Sequence, residues 1–395
     1  MQGVVSAARA GRLSDHEIAE LALVLAASGE QLSRDGRAAD IASTGGPSSL
    51  STLLCPLQLR ARGLVVPTLG VPGRPAGGVD ALQTIDGFRA TLDVTEAVSA
   101  LRRFGAVHLL ADVRWAPLDA RLFLYRQRTG AQAIPSLVIA SILAKKLAAG
   151  AVGVGLEVRV ASHGNFGGTL EEARANARRF NAVARVLDLS PACALTDATR
   201  PYQPFIGRGE ALVALADVLA GLEDPWLAAH VRLCQRMTDA VAGAMGVDVD
   251  APVDATGVSG AHDALLQAHG TERAAFERRV EFVRQAPRTI GRAEHASAVT
   301  YDLRRLRTLL VDRQQADQPA ISGAPPDPAG VVLSVPADTL VEAGEPLISI
   351  RVPEGEDRLA GMLAACASTE SGGTGSGREQ VDGDDRPRAG TLEII

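Results

Sequence analysis

Val152–Val160, VGVGLEVRV, followed by Thr169–Leu187, TLEEARANARRFNAVARVL, decides the fold class. In the first stretch Val and Leu alternate with Gly, Glu and Arg at a period of two, which is strand periodicity. In the second, apolar residues return every three or four positions, and Thr169 with Glu172 spells a Thr-x-x-Glu capping box, so an amphipathic helix begins there. Strands that alternate with helices of this kind build a parallel sheet. Upstream, GLVVPTLG (63–70) and GAVHLLAD (105–112) read as buried strands, with GGVDALQTI (77–85) as a turn and helix between them. Downstream, ACALTD (192–197) reads as another strand, followed by helices in EALVALADVLAG (210–221) and WLAAHVRLCQRMTDAVAGAM (226–245).

Two stretches break the alternation. Ser14–Ser33 has helical spacing and opens on a Ser14/Glu17 capping box, and Asp119–Gly150 returns to helical character between two sheet strands. Together they predict a small all-helical domain (1–35 and 116–150) beside a larger mixed α/β domain (36–115 and 151–285), with a cleft between the two. Residues 286–395 form a C-terminal α+β region: GVVLSVPADTLVEAGEPLISIRV (330–352) has short β runs separated by turns, 368–388 reads as a flexible solvated loop, and TLEII (391–395) as a last edge strand. The 330–352 hairpins are like those of small carrier domains, but they hold no lysine to modify. DIASTGG (40–46) reads as a hydroxyl-rich loop opening a helix.

Composition narrows the function. The chain has 395 residues, 46% of them hydrophobic, enough for two or three cored domains. Its formal charge of −6, with no long cationic run, argues against nucleic acid and for a small-molecule partner. An N-terminus without a signal-like apolar segment, and no apolar run of membrane-spanning length, leads to the expectation of a cytoplasmic protein without membrane contact. Cys55, Cys193, Cys234 and Cys366 are scattered, as expected of reduced buried thiols, and the histidines make no metal-binding spacing. No cofactor is expected. Neither a nucleophile elbow nor a phosphate-binding Walker sequence occurs.

SILAKKLAAG (141–150) holds the only two lysines, whereas the other 38 of the 40 basic residues are arginine. Ser141 and Lys145 are one helical turn apart and share a face, while Lys146 is rotated by about 100°. An ammonium on an apolar helix must reach solvent or a partner. Arg128, in YRQRTG (125–130), is a candidate to converge with it. A second candidate site is the turn holding Ser43, Thr44, Gly45, Gly46 and Ser51, where glycines allow close backbone approach and a helix N-terminus favours an anion. The turn contains no cation of its own.

In order, DIASTGG, PAGGVDALQTIDGF, RWAPLDARLFLYRQR, IPSLVIASILAKKLAAG, VRVASHGNFGGTLEEA and ALTD resemble the thymidine phosphorylase and pyrimidine-nucleoside phosphorylase family, from about Ser14 through GVVLSVPADTLVEAGEPL (330–347). The resemblance implies a cytoplasmic homodimeric pentosyltransferase that cleaves the N-glycosidic bond of a pyrimidine nucleoside, with orthophosphate as co-substrate. It places base binding on Arg128, Ser141 and Lys145, catalysis on Arg128 and Lys145, anion binding on Ser43, Thr44, Gly45, Gly46 and Ser51, and a structural role on Lys146. It departs at Ile41 and Ala42, where the family carries a phosphate-binding lysine and a histidine, and at Gly70 and Val79, where it carries a serine and a threonine. One cation about 4 Å from a phosphate is worth up to about 4 kcal/mol at an effective dielectric of 20. Another acceptor is therefore an open alternative, with Arg74 or Arg89 as substitute cations if phosphate is used. A catalytically silent pyrimidine-binding homologue and a phosphoribosyltransferase using phosphoribosyl pyrophosphate are the other readings.

Overall fold

The sequence folds into a mixed α/β structure, seen in a computed structural model that describes residues 1–46, 48–73, 78–162, 164, 166–222, 224–251, 253–316, 325–369 and 391–395. In chain order the first half holds α1 (Gln2–Arg9), α2 (Asp15–Ala26), β1 (Ala39–Ser43), α3 (Ser51–Ala61), β2 (Val66–Gly70), α4 (Gly78–Leu82), α5 (Val94–Phe104), β3 (Ala106–Leu110), α6 (Pro117–Arg128), α7 (Pro135–Ala148) and β4 (Gly153–Val160). There follow α8 (Leu170–Val186), β5 (Ser190–Asp197), β6 (Phe205–Gly207), α9 (Arg208–Leu219), α10 (Pro225–Ala244), α11 (Ala255–Ala268) and α12 (Arg273–Gln285). The C-terminal part holds β7 (Thr289–Arg292), β8 (Ser297–Tyr301), α13 (Leu303–Ala316), β9 (Gly330–Leu333), β10 (Leu340–Val341), β11 (Pro346–Arg351), α14 (Asp357–Ala364), β12 (Ala367–Thr369) and β13 (Thr391–Ile394).

The main sheet runs β1-β4-β5-β13, with β1, β4 and β5 parallel and β13 antiparallel at the edge. A parallel β2-β3 ribbon is joined to it through the single bridge Ala38↔Val65. The order β3-β2-β1-β4-β5 reverses direction of travel between β1 and β4, and ligands in open parallel sheets bind beyond the strand carboxyl ends at such a reversal. The turn after β1 lies there.

Each strand of a two-sided sheet must be apolar on both faces. On β4, Val154, Leu156, Val158 and Val160 join a core with α2, α7 and α8. On the opposite face of the sheet, Ile41, Ala192 and Ala194 pack with α3, α10 and α11. Gly155 lies on this second face because a Cβ there would stand 2.5 Å from Ile41 Cγ1 and 2.8 Å from Val241 Cγ2. A third core joins β9 and β11 to α13 and α14. The two helical stretches, α1–α2 and α6–α7, thus share one apolar cluster with a face of the sheet.

Several expectations change in detail. Residues 39–43 are the strand β1, not a loop; Asp40 hid it, since a carboxylate rarely occupies a central strand without a buried partner. Helix α1 precedes the expected helical start at Ser14, with Val5 and Ala8 buried. Ser14 and Glu17 form the full capping box, whereas Thr169 accepts from the Glu172 amide and Glu172 Oε2 instead accepts from Gly168 N at 3.0 Å. Ser368 and Thr369, expected in the solvated loop, belong to β12; from residue 370 that loop lies outside the described residues. All four cysteines are free and buried. Among the described residues, no helix is long and apolar enough to cross a membrane.

Candidate functional site

Helix α7 opens on Pro135, where the missing N–H costs nothing, and its face toward α2 is buried, which fixes the helix rotation and hence the two lysines. Lys145 Nζ donates to Asp119 Oδ2 at 2.5 Å, to the Ser141 carbonyl at 2.8 Å and to Ser141 Oγ at 3.0 Å. Its side chain keeps 18% exposure, so the ammonium lies at the rim of the interior. Asp119, in the first turn of α6, is buried, and its Oδ1 has no hydrogen-bond partner. Ser141, Lys145 and Asp119 therefore form one cluster. Lys146 turns the other way and pairs with the fully buried Asp40 Oδ2 at 2.5 Å, while Asp40 Oδ1 accepts from Thr68 Oγ1 at 2.9 Å.

Arg128, the last residue of α6, is exposed and bonds to neither Ser141 nor Lys145. The arginine directed inward is Arg126, whose guanidinium donates to the carbonyls of Ala131, Gln132 and Leu137 and so ties the α6–α7 connection to α7. Burial holds its pKa below the usual range, with Asp119 near enough to act against that shift.

The second cluster surrounds the turn after β1. Gly45 and Gly46 have φ of 102° and 137°, which side chains rarely adopt. Thr44 Oγ1 accepts from Arg159 N at 3.0 Å, and Arg159 Nη1 lies beneath Gly46, 3.5 Å from its carbonyl. The turn thus has a cation after all, supplied by β4 rather than by its own sequence. Arg159 Nη2 donates to Glu157 Oε2 at 2.8 Å and to Ser51 Oγ at 3.2 Å, and Ser51 Oγ donates to Glu157 Oε2 at 2.6 Å. Burial would raise the Glu157 carboxyl, but the charge and hydrogen bonds of Arg159, with Ser51, hold it below the ordinary range. Ser49 Oγ donates to Ser51 Oγ at 3.0 Å, and His230 Nε2 accepts from Leu50 N at 2.9 Å. Burial pushes the His230 pKa down to about 4, in keeping with its acceptor role. Arg159 Nε is buried without a partner.

The positions where the resemblance breaks are filled by packing. Ile41 sits in the core against Gly155 and Val241, and a Cβ on Gly70 would lie 2.9 Å from Val79 Cβ, which leaves no room for a serine at 70 without movement. Arg89 is exposed and pairs with Glu96 at 2.9 Å, away from the turn's hydrogen bonds; Arg74 lies outside the described residues. Sequence reading missed Asp119, Asp40, Glu157 and Arg159 as partners. For the last two a signal existed, because two charges at i and i+2 in an apolar strand share one face.

Comparison with known proteins finds similarity to thymidine and pyrimidine-nucleoside phosphorylases over about half of the chain. The chain is 30% identical over 220 residues to the thymidine phosphorylase of Burkholderia lata, covering 55% of this chain and 50% of that protein. It is 35% identical over 211 residues to the thymidine phosphorylase of Agrobacterium fabrum, covering 52% and 48%. It is 30% identical over 217 residues to the pyrimidine-nucleoside phosphorylase of Staphylococcus aureus, covering 53% and 49%. The matched region spans about half the length of these curated relatives. No protein-family model matches the chain. Among solved structures, a variant of anthranilate phosphoribosyltransferase from Saccharomyces cerevisiae in complex with 4-fluoroanthranilate aligns with a TM-score of 0.44 and 13% identity, covering 71% of this chain and 83% of that one.

Proposed function

We propose that the protein is a pentosyltransferase of the pyrimidine-nucleoside phosphorylase type, cleaving the N-glycosidic bond of a pyrimidine nucleoside. The observation that carries this reading is the Ser141–Lys145–Asp119 cluster, an ammonium held at the rim of the interior by a hydroxyl and a carboxylate. Breaking the C1′–N1 bond leaves negative charge on the departing base. A fixed cation stabilises that charge as it develops, without reorganisation at the moment of reaction. Asp119 fixes the ammonium, and Ser141 Oγ supplies a neutral hydrogen bond. Arg128, at the end of α6, is the arm that would close over the base, and the helical segments 1–35 and 116–150 form the wall that carries it. A cytoplasmic homodimer is part of the same proposal.

The test is release of uracil or thymine from a panel of natural and sugar-modified pyrimidine nucleosides, each with and without orthophosphate. Release from at least one nucleoside is expected; none under any condition removes the proposal. A silent pyrimidine-binding homologue is the second reading, favoured by one observation: all three ammonium protons of Lys145 already have internal acceptors. Calorimetric binding of a free base without turnover would decide for it.

A further inference from the structure

We infer that the acceptor in this cleavage is water and not an oxyanion, which makes the protein a pyrimidine-nucleoside hydrolase; the inference rests on the reading of the base site given above. It comes from the pairing of charges on helix α7 and beside the turn after β1. Arg159 is bound to Glu157 at 2.8 Å, Lys146 to Asp40 at 2.5 Å and Lys145 to Asp119 at 2.5 Å. Each cation has its own carboxylate, and the three pairs sum to no net charge. Two of the hydroxyls have their protons committed: Ser51 Oγ donates to Glu157 and Ser49 Oγ donates to Ser51.

An oxyanion entering at Gly45–Gly46 would meet Arg159 only with the Glu157 carboxylate beside it, bonded to the same Nη2 and the same Ser51. Two anions on one buried guanidinium repel each other, and Glu157 has no exposed surface on which its charge could be solvated. Nor do Ile41, Gly70 and Val79 add a cation or hydroxyl, since they are packed against each other or against the core. A neutral nucleophile needs no compensating charge.

The step then balances with the residues present. The C1′–N1 bond breaks and its electron pair moves onto the pyrimidine, where Lys145 stabilises it. A water oxygen bonds to C1′; its proton is released to solvent and the base takes one at N1, giving free pentose and free base.

The experiment incubates the full chain with uridine and with thymidine, with orthophosphate raised from none to a large excess, and identifies the sugar product; a Lys145→Ala preparation controls for contaminating activity. Free pentose, formed at a rate that phosphate does not change, is expected. Phosphate-dependent formation of pentose 1-phosphate overturns the inference and leaves the proposed function standing. No base released from either nucleoside, while another pyrimidine nucleoside in the panel is cleaved to pentose 1-phosphate, also overturns it; no release from any nucleoside removes both. In a folded Glu157→Gln variant, which leaves the Arg159 charge uncompensated, phosphate is expected to accelerate base release by about tenfold. A folded Glu157→Gln variant as indifferent to phosphate as the parent protein would mean that Glu157 is not what excludes the anion.

Discussion

Two adjacent lysines illustrate how one helical step separates two tasks. Lys145 stays at the rim with Ser141 and Asp119, whereas Lys146 is 4% exposed and forms with Asp40 a buried ion pair between α7 and β1. Removing one member of such a pair leaves an uncompensated charge in the interior, so Lys146→Ala is expected to cost roughly 3–5 kcal/mol of unfolding free energy, measured by denaturant titration. A loss under 1 kcal/mol would place the pair in the class of weak surface bridges instead. The i, i+4 relation of Ser141 and Lys145 was legible because it is local. Asp119 was not, lying 26 residues away on another helix, where only the packing of α6 on α7 brings it within reach. The choice between Arg126 and Arg128 likewise depends on the rotation of α6 about its axis, which a helix with charges on several faces does not reveal.

The elements were readable where their pattern was plain, and hidden where polar residues are satisfied by distant partners. Strands β2, β3, β4 and β5 and helix α8 follow from period and caps, but β1 does not, because its Asp40 needs Lys146 and Thr68 to be tolerated. Strand β4 explains its own composition: even positions fill one core, while Gly153, Gly155, Glu157 and Arg159 alternate with them, the glycines where α10 comes close and the charges at the carboxyl end. Gly155→Ala puts a methyl 2.5 Å from Ile41 Cγ1 and so forces β1 or α10 to shift. Overpacking of this kind is expected to lower stability by roughly 1–3 kcal/mol. An unchanged thermal midpoint for this variant would mean that β1, β4 and α10 pack less tightly than described.

Across the molecule, the alternation of strand and helix made the parallel sheet legible, and the reversal between β1 and β4 places the glycine turn and Arg159 together. The C-terminal edge strand was legible too, and β13 closes the sheet against β5. The strand order was not, since it depends on pairings between segments more than a hundred residues apart. Four histidines are distributed through this fold with their pKa values pushed down by burial, His108 to about 3 and His230, His262 and His269 to about 4. Between their ordinary value near 6.5 and these depressed values, the unfolded chain binds protons that the folded chain does not. Stability is therefore full above about pH 6.5 and falls on acidification toward pH 4; thermal midpoints recorded across that range, flat throughout, would contradict it. The most direct test of the central claim, that the Lys145 ammonium receives the charge of a departing pyrimidine, is the rate of base release by Lys145→Ala beside the parent protein. Loss of release by about a hundredfold or more in a folded variant is expected, whereas equal rates would contradict the assignment of this cluster as the base site.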